Sequence, residues 1–175
     1  MKLPILLGLG LSLLALPAMA FEKADLEKLR STKKCNASTF SSCDLSGASL
    51  MDIDLNGAEL EGANLEGITM ENVDLSKANL SEANLKGARM TKVNLNQAIL
   101  KEANLDGVKM MAVSVEDADL TDAKLTGGTL KGVSFKNSVF KDTVLTNTDL
   151  KLSNLSGVTG ITEAPCAKPS FGACK

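Results

Sequence analysis

From residue 40 to residue 155 an apolar side chain recurs at every fifth position without interruption. The series runs Phe40, Leu45, Leu50, Leu55 and onward through Met70, Met90, Met110, Val115, Phe135 and Phe140 to Leu155. The residue two before each of these is small or β-branched, as in Ala48, Ile53, Ala58, Ala63, Ile68 and Val73. The other three positions are mostly Asp, Asn, Ser, Thr, Lys, Glu or Gly. An α-helix repeats near 3.6 residues and a strand at 2, so neither element explains the pattern.

A longer period lies inside the short one. Ile53, Val73, Val93, Val113 and Val133 stand 20 residues apart, and so do Ala58, Ala78, Ala98 and Ala118. Met70, Met90 and Met110 follow the same spacing, as do Gly47, Gly67, Gly87, Gly107 and Gly127. Like residues return every four pentapeptides when the chain coils around four sides and stacks each turn on the last. The expected architecture is an all-β, four-sided solenoid with residue n beneath residue n+20. Each repeat forms one side, pointing its central residue and the one two before it inward. Twenty-four repeats predict about six coils, a stack on the order of 29 Å tall at about 4.8 Å per coil.

The stretches GANLEG, KANLSEANLKGA, EANLDG and DADLTDAKL resemble the A(D/N)Lxx motif of pentapeptide repeat proteins. The resemblance covers residues 40 to 155 and implies a right-handed quadrilateral β-helix. The pattern departs near the end. Gly128, Ser138, Thr143, Thr148 and Ser153 replace the small apolar residue, and Val139 and Val144 replace the Asp or Asn, so the last coils are expected to be looser or covered.

A solenoid has two open ends that need covers. Upstream, Ala24, Leu26 and Leu29 fall at helical spacing, with Asp25 early and Lys28 and Arg30 late, an order that suits the helix dipole. A short capping helix is expected within a segment spanning 21–39, ahead of a repeat body at 40–158 and a closing loop at 159–175. The four cysteines are Cys35, Cys43, Cys166 and Cys174, spaced C-x7-C at each end. Neither spacing suits zinc, and the chain has no histidine to complete a site. Four cysteines allow three connectivities. Local pairs, Cys35–Cys43 and Cys166–Cys174, are favoured by the distance between the ends, although residues 156 to 165 are long enough to fold back.

Residues 1–20 read as a secretory signal peptide. One basic residue, Lys2, precedes an apolar stretch and the small-residue pattern Ala18-Met19-Ala20, with cleavage expected before Phe21. The apolar run is short for a membrane span, so no stable span is expected after cleavage. Export to a bacterial periplasm or the exterior follows, where disulfides are the ordinary state of cysteine. Removing Lys2 leaves 18 basic and 21 acidic residues, a net charge of −3. That balance names no partner.

Assigned to sides, the charges polarise. The side centred on Leu60, Leu80, Leu100, Leu120 and Phe140 carries Glu59, Glu61, Glu82, Glu102, Asp119, Asp122 and Asp142 against Lys101 and Lys141, a net of −5. The opposite side carries Arg89, Lys92, Lys109, Lys131 and Lys151 against Asp52, Glu71 and Asp149, a net of +2. Met51, Met111, Ala112 and Leu152 lie outward on this basic side. Arg89, Lys92, Lys109, Met111, Lys131 and Lys151 are therefore the candidate binding face.

Catalysis is not expected. No phosphate loop, Ser/His/Asp set or metal cluster appears, and close carboxylates such as Glu82 and Glu102 would lie on a flat wall. No cofactor or nucleic acid is anticipated. The function expected is a non-enzymatic exported scaffold that engages a protein or an envelope component through a flat side. The resemblance supplies an alternative, since some pentapeptide repeat proteins mimic duplex DNA and shield DNA gyrase. Export and the absence of an acidic surface along the whole rod argue against it. An enzyme using surface carboxylates is the remaining alternative. Two apparent caps favour a monomer, with end-to-end dimers permitted by the resemblance.

Overall fold

The computed structural model describes residues 23–35, 43–150 and 152–161. They form one helix and a parallel β-solenoid. Helix α1 is Lys23–Thr32, and five three-residue strands follow: β1 Ser49–Met51, β2 Thr69–Glu71, β3 Arg89–Thr91, β4 Lys109–Met111 and β5 Thr129–Lys131. They pair in chain order, all parallel, and every register step is 20 residues, as in Leu50 with Met70 and Met70 with Met90. The five strands by themselves mark four complete turns. Isolated bridges of the same step carry the stacking on to Val139 with Thr159.

The inward positions are those the periodicity names. Leu45, Leu55, Leu60, Leu65, Leu75, Leu80, Leu85 and their successors are almost wholly buried, and so are the alanines and valines two before them. The lumen absorbs changes in volume locally. Val115, a small central residue, lies one coil before Phe135, whose ring meets that of Phe140 edge-on at 5.1 Å. Burial eases toward the end, where Leu145 is 7 % exposed and Leu150, Val158 and Ile161 are only partly covered.

Two hydrogen-bond families hold the backbone. Between coils, the amide of each central residue reaches the carbonyl 19 residues on, as in Leu65 to Asn84 at 2.8 Å and Leu85 to Asn104 at 2.7 Å. Within a coil, most corners close a turn, as in Ala48 to Leu45 at 3.0 Å. The amide two after each central residue also reaches the next coil, as in Gly47 to Glu66 at 2.8 Å and, at the corners after β1 to β4, Asp52, Asn72, Lys92 and Ala112 at 3.0 Å.

Polar departures in the late repeats are satisfied rather than loose. The hydroxyls of Thr143 and Thr148 donate to the carbonyls of Leu120 and Leu125 at 2.6 Å, and Ser153 donates to Leu130 at 3.0 Å. Ser138, fully buried, donates to Val115 O and accepts from the Ala118 amide, bridging that corner. A buried hydroxyl is tolerated when it finds such partners.

The N-terminal end corrects the sequence reading. Cys35 and Cys43 form a disulfide with Cα atoms 5.3 Å apart, as local pairing predicts. Yet Lys34 pairs with Glu59, a step of 25, while Asp44 pairs with Asn64, a step of 20. The Cys35 amide bonds to Glu59 O and the Glu59 amide to Lys33 O. Cys35, not Phe40, therefore holds the seat one coil beneath Leu60, and it is 2 % exposed. Ten residues connect positions that five connect elsewhere, and Phe40 lies outside the described residues, as do Cys166 and Cys174. The stacked backbone thus takes in Lys34 and Cys35, which the sequence assigned to the cap. Ion pairs Lys33–Asp54 at 3.1 Å and Lys34–Glu59 at 3.0 Å fasten this segment to the first coil. Leu29 of α1 is buried in the core cluster, consistent with the helix lying against the stack.

Candidate functional site

The basic side is the face of the five-stranded sheet. Parallel register sets its residues in columns about 4.8 Å apart. One column reads Ser49, Thr69, Arg89, Lys109 and Thr129, and the other reads Met51, Glu71, Thr91, Met111 and Lys131. The corner that follows adds Asp52, Asn72, Lys92, Ala112, Gly132 and Leu152, all with positive φ. Strand side chains alternate, so the inward Leu50, Met70, Met90, Met110 and Leu130 oblige their neighbours to face solvent.

The predicted residues come together. Arg89 stands directly beneath Lys109, and Met111 directly beneath Lys131. From β3 to β5 the outward residues include four cations (Arg89, Lys92, Lys109 and Lys131) and no carboxylate. Among the described residues none of the four has an ion pair; the pairs fall elsewhere, at Lys33–Asp54, Lys34–Glu59 and Lys101–Asp119. Like charges stacked at this spacing repel in the free protein. Met111 is 52 % exposed in their midst, and Met51 and Leu152 are exposed farther along the face. The last predicted member, Lys151, lies outside the described residues. The sequence reading passed over Thr69, Thr91 and Thr129, hydroxyl residues on the same face whose phase, one beside each central residue, was the available signal.

The acidic side is more mixed. Glu82, Glu102, Asp122 and Asp142 form one column at a left-handed corner, one carboxylate per coil. Beside them Lys101 pairs with Asp119 at 3.2 Å. Burial pushes the Asp119 carboxyl up, but hydrogen bonds from the Thr121 hydroxyl and amide, together with Lys101, outweigh it and hold the group below the ordinary carboxylate range. Asp54, bonded by the Asn56 amide and by Lys33, is lowered too. Among the described residues no three acidic or thiol side chains are placed to hold a metal ion, and no helix is long and apolar enough to cross a membrane.

The repeat motif has a structural reason. The Asp or Asn before each central residue accepts the amide two residues on: Asp44 from Ser46, Asn79 from Ser81, Asn94 from Asn96. Where Ser114 and Lys124 replace it, the coil beneath supplies the acceptor. Glu116 N then bonds to Asn96 Oδ1 at 2.8 Å and Thr126 N to Asp106 Oδ1 at 2.9 Å.

Comparison with known proteins agrees with this architecture. Residues 78–155 match the family described as Pentapeptide repeat region, and residues 34–72 match Pentapeptide repeats (8 copies). No curated protein matches the chain. Similar solved structures include QnrB1, a plasmid-mediated fluoroquinolone resistance protein, with 20 % identity, TM-score 0.46, and 72 % of this chain against 69 % of that one covered. Another is the pentapeptide repeat protein Rfr23 from the cyanobacterium Cyanothece 51142, with 21 % identity, TM-score 0.38 and coverages of 78 % and 97 %. A third comes from the thylakoid lumen of Arabidopsis thaliana, with 27 % identity, TM-score 0.26 and coverages of 57 % and 63 %. With both family matches falling on the stacked coils, and the A(D/N)Lxx residues performing the same structural task in each, the chain belongs to the pentapeptide repeat proteins.

Proposed function

We propose that the protein is a non-enzymatic, exported interaction scaffold whose basic sheet face receives an acidic patch on a protein or envelope component. The observation that carries this reading is the run of four cations from Arg89 to Lys131 with no carboxylate among them and an exposed methionine at the centre. A flat, regular wall of fixed charges steers a complementary surface and excludes a like-charged one. The carboxylates Glu82 and Glu102 stand at an exposed corner of such a wall, a setting that offers a substrate no enclosure. The column Glu82, Glu102, Asp122 and Asp142 is flanked by Lys101 and Lys141, which interrupt the continuous anionic surface a duplex mimic needs. In the proposed mature form the chain begins at Phe21, is covered by α1 at one end and acts as a monomer; Thr159, expected in the closing loop, still pairs with Val139 in the stack, and the rest of that loop beyond Ile161 lies outside the described residues.

The test is a pull-down from the envelope fraction with the exported protein and with Arg89→Glu/Lys92→Glu/Lys109→Glu. Loss of a specific partner that returns at low salt supports the proposal. An unchanged set of partners removes the basic face from consideration. Mass analysis of the exported protein checks the start at Phe21, and an intact Met1 would contradict export by this route.

A further inference from the structure

The basic face and the acidic side opposite it carry an inference that rests on the proposed function and names the kind of partner. From β3 to β5 the outward positions hold four cations, two threonines, Met111 and two small residues, Ala112 and Gly132. Lysine and arginine are the longest side chains in that set, so nothing stands between the charged heads and a plane laid against them. Along one border, Gly87, Gly107 and Gly127 leave the corner bare, and a Cβ built on any of them meets nothing within 4 Å. Along the other border Ala112 and Gly132 are equally short. On the far side of the square stand Glu82, Glu102, Asp122 and Asp142, one exposed carboxylate per coil. Opposite signs on opposite sides give the rod a charge moment perpendicular to its axis.

We propose that the basic face docks on a bilayer surface rich in anionic phospholipid, with the solenoid lying on its side and the acidic side turned to solvent. Three features favour a lipid surface over an acidic protein. The face is a flat wall without a groove or ridge to key a folded partner, and a bilayer surface is flat in the same way. Its cations stand in columns about 4.8 Å apart and repel one another. Mobile lipid phosphates can gather beneath such a cluster, whereas the carboxylates of a folded protein must already match its spacing. Met111 is 52 % exposed at the centre of the cluster. An unbranched, apolar side chain there can enter the headgroup layer but is too small to anchor the protein, so attachment is electrostatic and reversible. The carboxylates of the opposite side are repelled by the same surface, which fixes the roll of the rod about its own axis.

The test is sedimentation of the exported protein with vesicles of phosphatidylglycerol and phosphatidylcholine, against vesicles of phosphatidylcholine alone. Affinity for the anionic vesicles should be higher on the order of several hundredfold, from four cations near the surface, and should fall steeply at high salt. Arg89→Glu/Lys92→Glu/Lys109→Glu should bring the two kinds of vesicle level. Orientation is read separately. The chain contains no tryptophan, so Met111→Trp and Ile99→Trp each place one reporter, on the basic and the acidic side. Both positions are exposed and apolar, at 52 % and 40 %. On anionic vesicles the emission of the Met111→Trp protein should move to shorter wavelength, and that of the Ile99→Trp protein should stay in place. Equal binding to both kinds of vesicle, binding to neither, or an equal shift at the two positions overturns the proposal. A partner lost from the pull-down of the charge-reversed protein, without vesicle binding by the unaltered one, overturns the lipid surface alone and leaves the basic face as a protein-binding site.

Discussion

The third residue of each corner adopts the left-handed conformation throughout, from Gly47 to Gly157. Glycine fills many of these positions, and Asp or Asn, which tolerate the region best among the others, fill several more. A Cβ added at Gly87 would meet nothing within 4 Å, so its φ of +67° isolates the dihedral cost. Gly87→Ala should therefore lose about 1 kcal/mol in chemical denaturation. Ala112 holds φ 53° at an exposed site, and Ala112→Gly should be neutral to stabilising, by up to about 1 kcal/mol. Reversed signs would mean the corner is not governed by φ. Asp119 supplies a pH signature. Its carboxyl is held below the ordinary range, so its contribution is complete above that range and is lost as pH falls through the lowered value. Because the side chain is 32 % exposed, the loss should be a few tenths of a kcal/mol. Asp119→Asn, which keeps an acceptor for the Thr121 amide, should flatten that part of an acid denaturation profile.

At the scale of elements, the sheet face and the cap have different origins. The strands are three residues long because each side of the coil holds only one central residue and its two flanks; their stability comes from the coils above and below. α1 is ten residues long, too short to persist alone in water, so its packing must hold it in place. Leu29 is 1 % exposed and is an apolar contact between the helix and the core cluster. Leu29→Ala should cost about 2–4 kcal/mol, read by denaturant midpoint. A loss near zero would show that the helix does not cover the stack. Periodicity made α1 legible as a helix, with Leu29 on its inward stripe.

At the scale of the whole molecule, stability travels along the column of central residues. Each coil meets only its neighbours, so a charge at one centre should not remain local. Leu85→Asp places a carboxylate between Leu65 and Leu105 in a fully buried column. Amide exchange should accelerate across the coils on both sides of residue 85, and the melting transition should broaden or split. A single normal transition would contradict nearest-neighbour coupling. The binding face is also a property of the whole. Arg89, Lys92, Lys109 and Lys131 are up to 42 residues apart in sequence and become one surface only because four sides return the chain above itself.

The five-residue and twenty-residue periods by themselves determined the solenoid, its inward columns and the assignment of charges to sides. Side-chain direction is fixed by phase, and phase can be counted along the chain. The same count placed Phe40 beneath Leu60, and there the tertiary structure decided otherwise. Lys34 pairs with Glu59, and Cys35 holds the seat, because a covalent bond to Cys43 closes the corner across one whole surplus repeat. An excess of one full period leaves the phase of every residue unchanged. Only the spatial pairing of the two cysteines distinguishes which of two equally in-phase repeats joins the stack.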